Sequence, residues 1–225
     1  MPKFYFYKLT VDDGGAPCVE RGILSLAICK PMIRQTAEDG DVIFGFAAKA
    51  LHKDNRLIYI ARVTKALRKG EYYKVGRYSS RSDCIYRWED GTYRIEKGAR
   101  FHGTQDHLEH DLGKPPLFDR ANVLVSKDFR YLGGSCPEDY KHRFSYLAMA
   151  IESLKQGHRV YHSERLRSEL KQLLDETFET HAVKENGLPS QRPRRNISHR
   201  GETCGLATVT MRPIGEVARG KCPTK

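Results

Sequence analysis

The stretch "CKPMIRQTAEDGDVIFGF" (residues 29–46) decides the fold class. Its second half, Val42–Phe46, shows no polar alternation, so it reads as a strand covered on both faces. In its first half Pro31 stands where a helical turn can begin, because the first turn leaves its N–H groups unpaired anyway. Glu38-Asp39-Gly40-Asp41 then forms a turn that places Asp41 at the mouth of the strand. Lys30 and Arg34, four apart, would project from one helix face. Two readings stay open: an ordinary turn with solvated charges, or the rim of a site for a phosphate or for a base edge that needs a carboxylate acceptor.

Working outward, the flanks are rich in strands. "KFYFYKLTV" (3–11) is an aromatic-rich strand, and "ILSLAIC" (23–29) follows a Gly14-Gly15 loop. "RLIYIARVTKAL" (56–67) is a long β-branched strand, and "DCIYRWEDGTYRIE" (83–96) makes a hairpin through Asp90-Gly91. "ANVLVS" (121–126) and "FRYLGG" (129–134) complete this part. The period then changes. Tyr140, Phe144, Leu147, Ala148, Ile151 and Leu154 recur at three and four, predicting an amphipathic helix with Pro137, Glu138 and Asp139 in its first turn and Gly157 at its end. Ser163 caps a second helix, with Leu166, Leu170, Leu173, Leu174 and Phe178 on one face. The predicted fold is α+β: a mixed, partly barrel-shaped sheet followed by two amphipathic helices within residues 1–180, and a basic, flexible tail over 181–225.

Lys and Arg outnumber Asp and Glu by 39 to 28, a net charge of +11, and residues 181–225 hold nine of those cations against three Glu. Such a surplus favours polyanionic partners, nucleic acid first; the alternative is a solvated basic surface. No apolar run is long enough for a transmembrane helix, and "MPKFYFYKLTV" lacks a signal peptide's apolar core, so a cytoplasmic protein without a membrane partner is expected. The cysteines at 18, 29, 84, 136, 204 and 222 form no CxxC or zinc-like spacing and read as buried or incidental thiols. GxGxxG, GxxxxGKS/T, GxSxG and HExxH are absent, so no cofactor is indicated and no reaction is specified.

Three constellations could carry chemistry. The opening stretch is the first, through Lys30, Arg34 and Asp41. In "FHGTQDHLEHD" (101–111), His102, Asp106 and His110 would share a face if the segment were helical, with His107 and Asp111 as a neighbouring pair. Gly103 and the lack of an apolar stripe favour a polar surface loop over a metal site, and a base role for His102 lies between these readings. In "RSDCIYRW" (81–88), Arg81, Asp83, Tyr86, Arg87 and Trp88 interleave cations and aromatics as a base-stacking platform does, although core packing is the commoner use of strand aromatics. Asp83-Cys84 offers no evident partner for an activated thiol. "VLVSKDFRYLGG" adds Ser126, then Phe129 and Tyr131 on one strand face, before Gly133-Gly134.

In order along the chain, "LSLAICKPMIRQTAEDGDVIFGF", "RLIYIARVTKAL", "RSDCIYR" followed by "FH", and "NVLVSKDFRYLGG" resemble the nucleotide modification associated domain family, second type. That bacterial and phage family is proposed to act with DNA base hypermodification systems, and the resemblance spans roughly residues 3–155. There is a weaker likeness to PUA- and EVE-type barrels, which bind RNA or modified nucleobases in a pocket. It implies a PUA-like sheet, with Lys30, Arg34, Asp41 and Gly45 near the pocket and Asp83, Tyr86 and His102 contributing from the hairpin. The resemblance implies a protein that recognises a modified nucleobase or nucleic acid, with DNA-modification enzymes as further partners. A transferase or hydrolase using His102 with Asp83 or Asp106, and a non-catalytic scaffold, are the alternatives.

Overall fold

The computed structural model of the chain describes residues 1–135, 140–182, 184–185, 187 and 189. The first strand, β1 (Phe4–Leu9), lies parallel to β4 (Val42–Ala47), which pairs antiparallel with β5 (Leu57–Arg62). Adding β10 (Asp128–Tyr131) and the short edge strand β11 (His158–Arg159) gives a mixed sheet in the order β10-β5-β4-β1-β11. A second, antiparallel sheet runs β2 (Cys18–Glu20), β3 (Ile23–Leu26), β9 (Val123–Ser126) and β6 (Lys65–Leu67). Strands β7 (Tyr86–Glu89) and β8 (Thr92–Ile95) form the expected hairpin, with Asp90 and Gly91 at φ 51° and 77°.

The long strand expected over 56–67 is shared between the two sheets. It serves the first as β5, bends at Val63-Thr64, and serves the second as β6, where the Thr64 amide donates to the Val125 carbonyl. The return segment bends likewise between β9 and β10, where the Ser126 hydroxyl bonds the backbone of Asp128. These corners fold one sheet over the other. Among the described residues the ladders do not close, so the barrel expected for a PUA-like sheet is not seen.

Helices α1 (Pro31–Thr36), α2 (Glu71–Lys74) and α3 (Gln105–Leu112) attend the second sheet, and α4 (Tyr140–Arg143), α5 (Ser145–Ser153) and α6 (Glu164–Thr180) follow β10, with the edge strand β11 between α5 and α6. The first of the two helices predicted in this region is broken at Phe144, whose φ of −121° and ψ of 76° leave the helical range. The second matches α6, and Ser163 caps it by accepting the Leu166 amide. Past residue 180, the Lys184 carbonyl accepts the Tyr131 amide at 2.7 Å. Cys136 and Pro137–Asp139, Cys204 and Cys222, and nearly all of the basic tail lie outside the described residues.

Burial on both sides explains "VIFGF". Val42, Phe44 and Phe46 face α5 and α6 in one core, whereas Ile43 and Ala47 face the second sheet in another, beside Tyr5, Tyr7 and Tyr59. Gly45 is required here: a Cβ would lie 2.2 Å from the Tyr59 ring. A third core, between the second sheet and the hairpin with α2 and α3, is built on Tyr72, Tyr73, Tyr86 and Tyr93 with Leu108 and Leu112. No helix among the described residues is long and apolar enough to cross a membrane.

Candidate active site

Where β3 leaves the second sheet, Ala27 and Ile28 stay buried and the chain then turns sharply into α1. The turn is made by Cys29 and Lys30, both in the left-handed region with φ of 56° and 44°. Residues with a side chain rarely adopt it, and each such conformation costs on the order of 1–3 kcal/mol unless its surroundings enforce it. The surroundings do. Asp111 of α3 accepts the Cys29 amide at Oδ1 (2.8 Å), and Arg34 Nε donates to the Cys29 carbonyl (2.6 Å). The left-handed backbone at Cys29 is pinned at both its donor and its acceptor.

The side chain so presented meets an imidazole. Cys29 Sγ lies 3.3 Å from His102 Nε2, and His102 Nδ1 lies 2.6 Å from Asp111 Oδ2. With Asp111 ionised, Nδ1 carries the proton and donates it to the carboxylate, which leaves Nε2 as the acceptor for the thiol. Burial would raise the Asp111 carboxyl, but the His102 hydrogen bond and the Arg34 charge outweigh it and hold the group below the usual carboxylate range. Tyr86 also donates to Asp111 Oδ2 (2.8 Å). His102 has a left-handed backbone too, at φ 39°, and its side chain is 13% exposed.

Two residues after His102, Thr104 caps α3 by accepting the His107 amide. The His107 ring then stacks on His102, with centroids 4.6 Å apart and planes 19° apart. Burial first, and then the neighbouring His102, hold the His107 ring below the ordinary histidine range. The segment expected as a polar loop is therefore a helix, but His102 precedes it, so His102, Asp106 and His110 do not form one helical face. Among the described residues no three His, Cys, Asp or Glu side chains are grouped to hold a metal ion.

The other predicted site residues divide. Lys30 follows Cys29 in the left-handed turn, its Nζ 5.0 Å from the centre of the Tyr7 ring. Arg34 does not share its face: at 0% exposure it donates to the carbonyls of Cys29, Arg120, Asn122 and Asp111. Asp41 closes its own turn, accepting the amides of Lys3 and Glu38. Gly45 admits the Tyr59 ring, Ser126 makes a corner between sheets, and Phe129 is core. Tyr131 donates to both oxygens of buried Asp12, at 2.8 and 2.9 Å.

Asp83 and Arg81 belong to a different cluster. Asp83 is fully buried and accepts from the hydroxyls of Ser25 (2.5 Å) and Tyr72 (2.6 Å) and from Arg81 Nε (3.3 Å). Arg81 also donates to the carbonyls of Cys18, Glu20 and Ile23, tying the edge of the second sheet to the 81–83 loop. Two thiols flank this knot. Burial and then the Asp83 charge push Cys84 up to about 12, and the same two causes raise Cys18 still further.

His102, expected to act with Asp83 or Asp106, has Asp111 as its hydrogen-bond partner instead, and Cys29, expected as a buried or incidental thiol, lies against its ring. The thiol and its partners lie 73 and 82 positions apart, on separate elements. One local signal existed: a strand running through Cys29 directly into Pro31, the strand–turn–helix setting in which other folds expose a nucleophile.

No curated protein and no solved structure matches the chain. A family model does, over residues 1–194, a span that contains the whole Cys29–His102–Asp111 arrangement. The chain belongs to the nucleotide modification associated domain 2 family.

Proposed function

We propose that the protein is a cysteine-dependent enzyme acting on an electrophilic, acyl-type carbon of a nucleotide or modified nucleobase. The observation that carries this reading is the alignment of Cys29 Sγ, His102 and Asp111 at 3.3 and 2.6 Å on a turn of left-handed residues. His102 Nε2 takes the thiol proton as sulfur attacks; a C–S bond forms, the bond to the leaving group breaks, and the imidazolium returns the proton to the leaving group. Water or an amine then attacks the thioester-type intermediate, again through His102, and frees the thiol. Asp111 holds the ring in the competent tautomer and stabilises the imidazolium, as the carboxylate does in other triads. The family's name and the +11 net charge support a nucleotide or nucleic-acid substrate.

The test is site-resolved alkylation by iodoacetamide, read by mass spectrometry. Cys29 should react faster than Cys18 and Cys84, and His102→Asn should slow it by roughly tenfold or more, the order expected when a thiol loses its base. Asparagine is chosen because it tolerates a left-handed backbone. Cys29 reactivity indifferent to His102→Asn sinks the proposal. If it holds, a panel of nucleotides and modified bases should yield an adduct on Cys29 that Cys29→Ser cannot form.

A further inference from the structure

The wall beside the thiol carries a second feature, centred on Lys30. Cys29 and Lys30 are consecutive left-handed residues, so the ammonium stem leaves the same strained turn that presents the nucleophile. Its Nζ rests over the face of Tyr7, 5.0 Å from the ring centre. That ring is packed on every side: Tyr7 is fully buried, its hydroxyl shares a 3.0 Å hydrogen bond with Tyr59, and Tyr59 sits in the space that Gly45 leaves. Among the described residues Lys30 forms no ion pair, although it is half-buried.

His158 completes the wall. It pairs opposite Tyr7 across β1 and β11, so its side chain shares the Tyr7 face of the sheet, with its ring 6.0 Å from that of Tyr5. Burial first, and then the Lys30 charge, hold His158 below the ordinary histidine range, so the imidazole is a neutral hydrogen-bonding group beside a cation. Tyr7 is pushed well above its ordinary value by burial, then by Tyr59, then by Cys29 and Asp12, and the Lys30 ammonium lies over the same ring. Asp12 is already bound by Tyr131.

From this arrangement we infer that Lys30, with His158, forms an anion subsite next to Cys29, and that the substrate carries a phosphate or carboxylate close to the carbon the thiol attacks. The inference rests on the thiol-enzyme reading and names the substrate class within it. A half-buried ammonium without a carboxylate partner, held over an aromatic face, is a preorganised receptor for an anion. Its place beside the nucleophile, on the side of the sheet away from α5 and α6, makes it a specificity-determining group rather than a surface charge.

Two alkylating reagents of nearly equal size test it, iodoacetate and iodoacetamide. Their rate ratio at Cys29 cancels any change in thiol ionisation and leaves the response to reagent charge. Lys30→Met, similar in length, should lower the iodoacetate-to-iodoacetamide ratio by about tenfold, the scale on which a focused local charge changes encounter with an anion. Lys30→Arg should retain it. At constant ionic strength, inorganic phosphate or acetate should slow the iodoacetate reaction in the wild type and not in Lys30→Met; whichever protects better identifies the phosphate or the carboxylate class. An unchanged ratio in Lys30→Met, or no protection by either anion, overturns the subsite while leaving the thiol reading intact. Loss of His102 dependence overturns that reading and the subsite with it.

Discussion

Two buried clusters in this protein use the same three residue types and come to opposite ends. Asp111 is held by Arg34 and Tyr86, and Asp83 by Arg81 and Tyr72. Each carboxylate is sealed from solvent, and each has a cysteine nearby in sequence or space. The difference lies in the remaining partner. Ser25, which bonds Asp83, is itself buried and does not titrate near neutrality, so that cluster closes on itself. His102, which bonds Asp111, is partly exposed and has a thiol 3.3 Å from its other ring nitrogen. The buried Asp-Arg-Tyr set is common to both clusters; the partly exposed titratable group attached to one of them is what the proposed chemistry rests on.

The largest effect that sharpens this contrast belongs to the closed cluster. Asp83→Asn removes the charge opposite Arg81 and leaves a buried guanidinium without its counter-ion, which costs about 3 kcal/mol or more. Urea unfolding should show that loss, while the alkylation rate of Cys29 in the folded variant stays at the wild-type level. A variant as stable as the wild type but with a slowed Cys29 would reverse the roles assigned to the two clusters.

A matched pair of smaller deletions follows. Tyr72→Phe and Tyr86→Phe each remove one hydroxyl that donates to a buried carboxylate, and each should cost about 1.5–3 kcal/mol of stability. Their effects on the thiol should part company. Tyr86 shares Asp111 Oδ2 with His102, so its loss should alter the pH profile of Cys29 alkylation, and Tyr72→Phe should leave the profile where it was. Equal profiles in the two variants would show that Asp111 is no more connected to the thiol than Asp83 is.

How much of this was legible follows from where each signal resides. "VIFGF" could be read because two covered faces remove the alternation, and α6 because its leucines repeat over 17 residues. The break of the 56–67 strand could not, since no glycine or proline marks Val63-Thr64; the bend is imposed by pairing with β9 on one side and β4 on the other. Helix α3 was hidden because only eight residues long, with its core face reduced to Leu108, Asp111 and Leu112, it shows almost no apolar stripe. The site was half legible for a related reason. His102 stood out in a polar segment, whereas Cys29 looked like one more small core residue until the topology brought α3 against the end of β3. Arg34 misled in the opposite sense: spacing put it on a face with Lys30, but the carbonyls that need it lie inward.

The smallest expected effect is one of sign. Asp111 lies below its ordinary value of 3.8 because the His102 hydrogen bond and the Arg34 charge outweigh burial, and Asp83 lies above 3.8 because burial outweighs Arg81 and the two hydroxyls. A depressed carboxyl contributes stability that is present above pH 3.8 and is lost as the pH falls through its folded value. A raised one contributes stability that is complete below pH 3.8 and is lost as the pH rises through its folded value. Measured by urea unfolding between pH 7 and pH 3, the penalty of Asp111→Asn relative to wild type should therefore shrink as the solution is acidified. That of Asp83→Asn should grow over the same descent, because only the wild type gains from protonating Asp83. Parallel slopes would mean that the two carboxylates sit in equivalent electrostatic surroundings, and the distinction between an open cluster that works through His102 and a closed one that only ties strands together would fail at its root.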